Sequence, residues 1–461
     1  MNKFTLAEII LVTGAETNSD DEIFFEDVLT DSRKITGGSL FVALKGENFN
    51  GEDFAEESLK KGAAAVLVSK NFDKKINGVV LKVDDTLDAY RKIAGAWRNR
   101  FDIPVVAVTG SNGKTTTKDL TAAALNGLGN VQKTSGNFNN EVGVPMTLLG
   151  LSEKNSAAVV EIGMRGLGQI ESLAQVVRPT IGIVTNVSET HIELLGSIEN
   201  IARAKGELVS AIREGGTIIL NADNPHTAEM KNLAGAGVHV VTYGMENSAD
   251  VTAKNILIGS VATEFTLSYR GEDFDFEIPM LGRHNVSNAL AAIAAGLTVD
   301  LSVEEIQRGV SSLTTTKMRF EVIRRDGLTI VNDAYNASPA SMRVAIKTTS
   351  EIYSGRLIAV LGDMLELGDI SEQVHREVGA ELVENKFDTL ITLGELGKFI
   401  AAGAREAGLD RLKNWRKSSS RQSVSSPTSA KLTSNFWARL KILPKLRANW
   451  SRRFRTAARL F

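Results

Sequence analysis

The sequence predicts an α/β protein of three domains: a small α/β N-terminal domain, a central P-loop domain with a mostly parallel sheet, and a Rossmann-like C-terminal domain. Three observations carry this expectation. A chain of 461 residues is longer than one hydrophobic core organises. Apolar runs of strand length alternate with helical stretches, as in βαβ units with right-handed crossovers. The run VVAVTG at 105–110 is continuously apolar and enters a glycine-bearing turn that opens a helix.

Residues 1–83 hold SLFVAL, AAAVLVS and GVVLKV between Gly- and Asp-bearing turns, the pattern of a small mixed domain. Thr86 to Arg100 has helical periodicity and stops before Pro104, which places a second domain at 84–313. There AAVVEIG, IGIVTNV, GTIILN and VHVVTYG read as parallel strands. The alternating segment 250–280 predicts a few appended antiparallel strands, and NALAAIAAG a closing helix. A third domain at 314–461 has strands at LTIVND, RLIAVLGD and TLITLG; it lacks GxGxxG, so dinucleotide binding is not indicated.

The chain contains no cysteine, which excludes disulfides, thiolate metal sites and a cysteine nucleophile. No long uncharged apolar run predicts a membrane span, and MNKFTLAEIILVTG reads as a short amphipathic helix rather than a signal peptide, so a cytoplasmic location is expected. The formal net charge of −2 hides an asymmetry: 411–461 holds fourteen Lys/Arg and no Asp/Glu, leaving 39 basic against 55 acidic residues before it. The acidic body, at −16, repels nucleic acid.

The segment VVAVTGSNGKTTTK at 105–118 is a phosphate cradle. Backbone N–H groups from Gly110 through Ser111, Asn112 and Gly113 to Lys114, with the helix N-terminus opening at Lys114, Thr115 and Thr116, supply partial positive charge. Lys114 neutralises terminal phosphates and the Thr115 hydroxyl suits Mg²⁺. Because Val108 stands at the usual first glycine, the match is to the shorter TGxxGKT form. Glu161 ends the strand AAVVEIG, at the sheet edge beside this loop, and His191 follows the strand IGIVTN. Taken alone, either is as readily a satisfied polar group. Lys205 in NIARAKGELVSAI reads by default as a surface lysine. Asn285 and Asn288, three apart on a helix, share a side and suit an adenine edge; the alternative is an N-cap plus a surface residue.

The loop TGSNGKTT resembles that of the Mur ligases and their folylpolyglutamate synthetase relatives. GNFNNEVGVP (136–145), EIGM (161–164), TNVSETHIELLGS (185–197), ARAKGE (202–207), GRHNVSNA (282–289) and NDAYNASP (332–339) follow in the family's order, and the resemblance covers roughly 25–400. It implies an ATP-dependent amide-forming ligase of peptidoglycan-precursor synthesis that works through an acyl phosphate. NDAYNASP and LGDMLELG (361–368) resemble the member that joins D-Ala-D-Ala to UDP-N-acetylmuramoyl-tripeptide. A sister ligase, a folylpolyglutamate synthetase or a nucleotide-driven switch are the alternatives.

The same resemblance implies two Mg²⁺ ions, one at Thr115, Glu161 and His191, the other bridged by a carbamylated Lys205. It implies Arg319 and Asp333 at the nucleotide, and Tyr335, Asn336 and Ser338 at the incoming dipeptide. Asn137, Asn139 and Asn140 are expected at substrate. Ser32 and Arg33 in DSRKITGGSLFVAL would meet the uridine nucleotide, with a surface ion pair as the other reading of Arg33. Small-molecule substrates, a monomer, and neither nucleic acid nor membrane as partner complete the expectation. The end departs from the family's strand, KGS-containing turn and closing helix. With three of the four tryptophans also in it, the stretch from about 411 reads as a frameshifted or mis-sequenced end rather than a basic appendage.

Overall fold

The computed structural model describes residues 3–46, 49–313, 317–325 and 327–415. The first sheet has five strands in the order Glu16–Thr17, Val79–Val83, Ala65–Ser69, Ser39–Val42, Asp27–Leu29, parallel except at the first pair. The helix Thr86–Arg98 starts where the Asp85 carboxylate accepts from the Leu87 and Asp88 N–H groups. It buries Tyr90, Ile93 and Trp97, and the Trp97 ring lies between Phe4 and Phe101 at centroid distances of 5.5 and 5.4 Å. One apolar cluster therefore runs unbroken from Phe4 to Met230, joining the small sheet to one face of the next. The sequence boundary at 83/84 is not a gap in packing.

The central sheet has nine strands. Six consecutive pairings are parallel, in the order Asn130–Lys133, Asn155–Glu161, Val105–Thr109, Ile181–Val184, Thr217–Asn221, His239–Gly244, Val251–Ile258; Thr263–Tyr269 and Glu272–Ile278 then add antiparallel. Val105–Thr109 comes first of these in the chain yet lies inside the sheet. Its crossovers run outward on one side, then return and continue on the other, so its carboxyl end is a topological switch point, where open α/β sheets bind ligands. The helices Lys114–Ala124 and Arg283–Thr298 cover the second face, and Ala289, Ala291, Ala292, Ala294 and Ala295 allow the close approach there. No helix of the described residues is long and apolar enough to cross a membrane.

Two expectations about the third domain are corrected. LTIVND does not join a parallel sheet: Leu328–Asn332 pairs antiparallel with Glu321–Arg325 as a separate hairpin, turned at Gly327 with φ 77°. The parallel sheet is Ile358–Leu361, Thr389–Leu393 and Leu412–Trp415. The last strand lies beyond the compositional break placed at about 411, so the domain continues four residues past it; the rest of that stretch falls outside the described residues.

Candidate active site

Two glycines shape the loop after Val105–Thr109. Gly110 has φ 147° and Gly113 φ 79°. A Cβ on Gly110 would overlap the Thr185 hydroxyl, and one on Gly113 would come 2.5 Å from Asn288 Oδ1, so neither position accepts a side chain. The loop is braced from 185–188: Ser111 N–H donates to Asn186 O (2.8 Å), Asn112 N–H to Asn186 Oδ1 (3.0 Å), and the Thr185 hydroxyl to Asn112 O (2.6 Å). The N–H groups of Ser111 and Asn112 therefore have acceptors within the protein. Lys114 Nζ folds back to donate to Gly110 O (2.8 Å) and Ser111 O (3.1 Å). Burial lowers its pKa, against the pull of the Glu161 carboxylate.

Glu161 pairs in register with Val108 and is 1% exposed. Its Oε1 accepts from Asn139 Nδ2 at 2.7 Å; its Oε2 is buried with no hydrogen-bond partner. A buried carboxylate oxygen without a donor is costly, and it suits a cation. Thr115 is buried nearby, its hydroxyl accepting from Arg319 Nη2 at 3.3 Å. His191 adopts the left-handed conformation (φ 63°) and donates from Nδ1 to the Glu366 carboxylate, which leaves Nε2 as the other ring nitrogen. Burial lowers the pKa of His191, opposed by that bond, and both Lys114 and Lys205 push it the same way as burial. A neutral imidazole is the metal-binding form. Lys205 is 2% exposed on the helix Ile198–Ala211 and makes no hydrogen bond or ion pair with the described residues. Burial, then repulsion from Lys114, holds its amine well below the usual lysine range.

No group of three or more His, Asp, Glu or Cys side chains forms a metal cage among the described residues. Thr115, Glu161 and His191 supply one hydroxyl, one carboxylate and one imidazole, fewer groups than a protein cage, and Mg²⁺ sites keep several waters and substrate phosphates in the shell.

The third domain reaches this loop. The Arg319 guanidinium stacks 3.8 Å from the Tyr335 ring centre, with Nε buried and unpaired. Asp333 accepts from Phe320 N–H (3.1 Å), and burial pushes its carboxyl up to about 6. Tyr335 is half-buried, and burial raises its pKa; Asn336 is exposed.

Several expected ligand groups have other partners. Ser338 is a buried N-cap for Pro339–Ile352, accepting from Ser341 N–H (3.3 Å) and donating to Asn112 Oδ1 (3.0 Å). Asn140 accepts from Gly143 N–H (2.9 Å) at a helix start, and Asn139 serves Glu161. Asn285 and Asn288 are buried: Asn288 accepts from the Thr117 hydroxyl (3.2 Å) and donates to Asn285 Oδ1 (3.2 Å), bolting two helices together beneath the loop. Arg33, its side chain 82% exposed, makes the alternative ion pair, with Asp31 at 2.9 Å; Ser32 opens the same short turn. Sequence reasoning passed over Thr185, Asn186 and Ser188, and missed Glu366 as the partner of His191 and Arg165 as the donor to the other Glu366 oxygen. It also missed Lys118, buried and donating to Thr134 O (2.9 Å) beneath the 136–140 loop.

A braced phosphate loop at a switch point, a carboxylate beside it with one oxygen unpaired and a third domain contributing an arginine define a nucleotide-using enzyme built from three α/β units. The chain belongs to the Mur ligase family: models described as Mur ligase family, catalytic domain, Mur ligase middle domain, and Mur ligase, glutamate ligase domain match residues 25–98, 108–296 and 318–430. It is 42% identical over 402 residues to the UDP-N-acetylmuramoyl-tripeptide–D-alanyl-D-alanine ligase of Bacillus subtilis, covering 87% of this chain and 86% of that one. The Escherichia coli ligase of the same name is 37% identical over 415 residues, covering 89% and 91%. Among solved structures, MurF from Acinetobacter baumannii superposes with a TM-score of 0.84 at 30% identity, over 95% of this chain and 92% of that one. MurF ligase from Thermotoga maritima in complex with ADP does so at 0.76 and 26% identity, over 90% and 91%.

Proposed function

We propose that this protein joins D-Ala-D-Ala to UDP-N-acetylmuramoyl-tripeptide in the cytoplasm as a monomer, converting ATP to ADP and phosphate. The observation that carries the chemistry is the buried Glu161 Oε2 with no hydrogen-bond partner, at the end of the strand beside the phosphate loop that holds Lys114. Activating a carboxylate by phosphoryl transfer brings two anions together, and catalysis is largely positioning and charge compensation. The loop and Lys114 hold the terminal phosphate in line with the tripeptide carboxylate. Attack by that carboxylate gives the acyl phosphate, and the dipeptide amine then displaces phosphate.

Mg²⁺ held by Thr115, Glu161 and His191 would screen the phosphate charge. Carbamylation by CO₂ needs a neutral amine, and burial lowers the pKa of Lys205 toward that form; as a carbamate it would hold a second ion. Arg319 and Asp333 would serve the nucleotide, Tyr335 and Asn336 the dipeptide, and Asn137 the peptide substrate. Asn285 and Asn288 line the nucleotide pocket from beneath. Ser32 and Arg33 would meet the uridine nucleotide once Arg33 leaves Asp31. The test is ADP release by the full-length chain with each substrate omitted in turn: release that requires both supports the ligase, and release indifferent to D-Ala-D-Ala sinks it.

A further inference from the structure

The segment LGDMLELG at 361–368 has no part in the chemistry above, yet it is among the most firmly pinned in the third domain. Asp363 accepts from the backbone N–H groups of Glu395 (3.0 Å), Leu396 (2.9 Å) and Gly397 (2.7 Å). Met364 is fully buried in the domain core, and its N–H donates to Nε2 of His375, whose Nδ1 is bonded to Ser371 O (2.6 Å). Glu366 follows two residues later with φ 60°, a conformation unfavourable for a residue with a Cβ. Its backbone O accepts from Glu193 N–H of the central domain (3.2 Å). Its carboxylate also crosses the boundary: one oxygen accepts from Arg165 Nη2 (2.8 Å), the other from His191 Nδ1. His191, at φ 63°, is likewise left-handed, so two disfavoured backbone positions meet at this bond.

Strain held by surrounding structure at a site is evidence that the geometry matters there. A carboxylate on one imidazole nitrogen fixes the ring's tautomer and orientation and leaves the other nitrogen to a ligand. We propose that Glu366 is a positioning residue for the nucleotide site: it holds His191 with Nε2 available to the metal, and only when the third domain is seated. The inference rests on the reading of His191 as a metal-holding residue. A tie that merely joined domains would work through Arg165 as well, whose side chain is 72% exposed and removable without harm to the core.

The experiment measures Mn²⁺ binding by electron paramagnetic resonance to the full-length chain with a non-hydrolysable ATP analogue, beside the KM for D-Ala-D-Ala. Glu366→Ala is expected to weaken Mn²⁺ binding about tenfold. Glu366→Gln, which still accepts from Nδ1, should recover most of that loss, and the KM should stay unchanged. Arg165→Met, a variant that leaves the His191 bond intact, should bind Mn²⁺ as the parent does. In a His191→Ala background Glu366→Ala should have no further effect. Weakened binding in His191→Ala beside unchanged binding in Glu366→Ala overturns the positioning role alone. Unchanged binding in His191→Ala overturns the metal reading and this inference with it, and an equal loss in Arg165→Met reduces Glu366 to a domain tie.

Discussion

Single side chains here are tuned by what buries them, and two make a pH-dependent prediction. His284 is held to a pKa of about 4 by burial, against an ordinary 6.5, with Nδ1 unpaired and its ring edge-on to Phe320 at 5.8 Å. The unfolded chain binds a proton there that the folded one refuses, so its contribution to stability falls as pH drops from about 6.5 to about 4. Asp333 behaves oppositely. Raised to about 6 from 3.8, it binds its proton in the folded state first, so its contribution rises as pH falls through the same window. The two largely cancel in the parent. His284→Leu should therefore gain on the parent as pH is lowered from 7 to 4.5, and Asp333→Asn should lose, each by about 2–3 kcal/mol, read from denaturant midpoints. Parallel pH profiles for all three proteins would refute this. Lys114→Met should reduce ATP consumption about 100- to 1,000-fold while leaving the circular dichroism spectrum unchanged, since Lys114 bonds only its own loop. At this scale the sequence showed residue types and motif positions but not pairings. The strand that ends at Glu161 was legible, while the metal roles expected of Glu161 and His191 stood on the family resemblance. That Asn139 pairs with Glu161, or Glu366 with His191, depends on contacts across 22 and 175 residues that no local pattern encodes.

Among the elements, the strand-loop-helix of 105–124 was the most legible, because a buried parallel strand, a glycine turn and a helix start each leave a local mark. Its limits follow from the two glycines. Gly113→Ala should abolish tight nucleotide binding and lower the melting temperature: a Cβ there meets Asn288 Oδ1, the same atom that takes the Thr117 hydroxyl. Gly37→Ala, with open space around its Cβ, is the control and should be neutral. Calorimetric titration with ADP and melting curves check both. The hairpin at 321–332 was misjudged because its apolar run, LTIVN, has the length and composition of a parallel strand, and periodicity cannot tell the two apart. The partners of the asparagines at 140, 285 and 288 were not legible, since a side-chain amide suits a helix cap or a packed seam as well as a substrate.

Across the whole molecule, the three-part α/β plan was legible from length and alternation. The continuity of packing between the first two parts was not, because it depends on Phe4, Trp97 and Phe101 meeting from separate segments. Side-chain hydrogen bonds join the third part to the others at Arg319–Thr115, Ser338–Asn112 and Glu366–His191, beside a backbone bond from Glu193 and packing of Ile192. Nucleotide with Mg²⁺ at 100 times its dissociation constant should stabilise the fold by about 2.7 kcal/mol, and Arg319→Ala should lessen that gain. Differential scanning fluorimetry with and without ADP and Mg²⁺ reads both.

The aromatic wedge at Trp97 gives the molecule an anvil and a hammer. With the small sheet keyed to the large one by a shared apolar interior, any approach of the amine to the activated carboxyl must come from travel of the C-terminal part alone. Trp97→Ala would loosen the anvil, and catalysis should then suffer with every contact around the phosphate loop still in place.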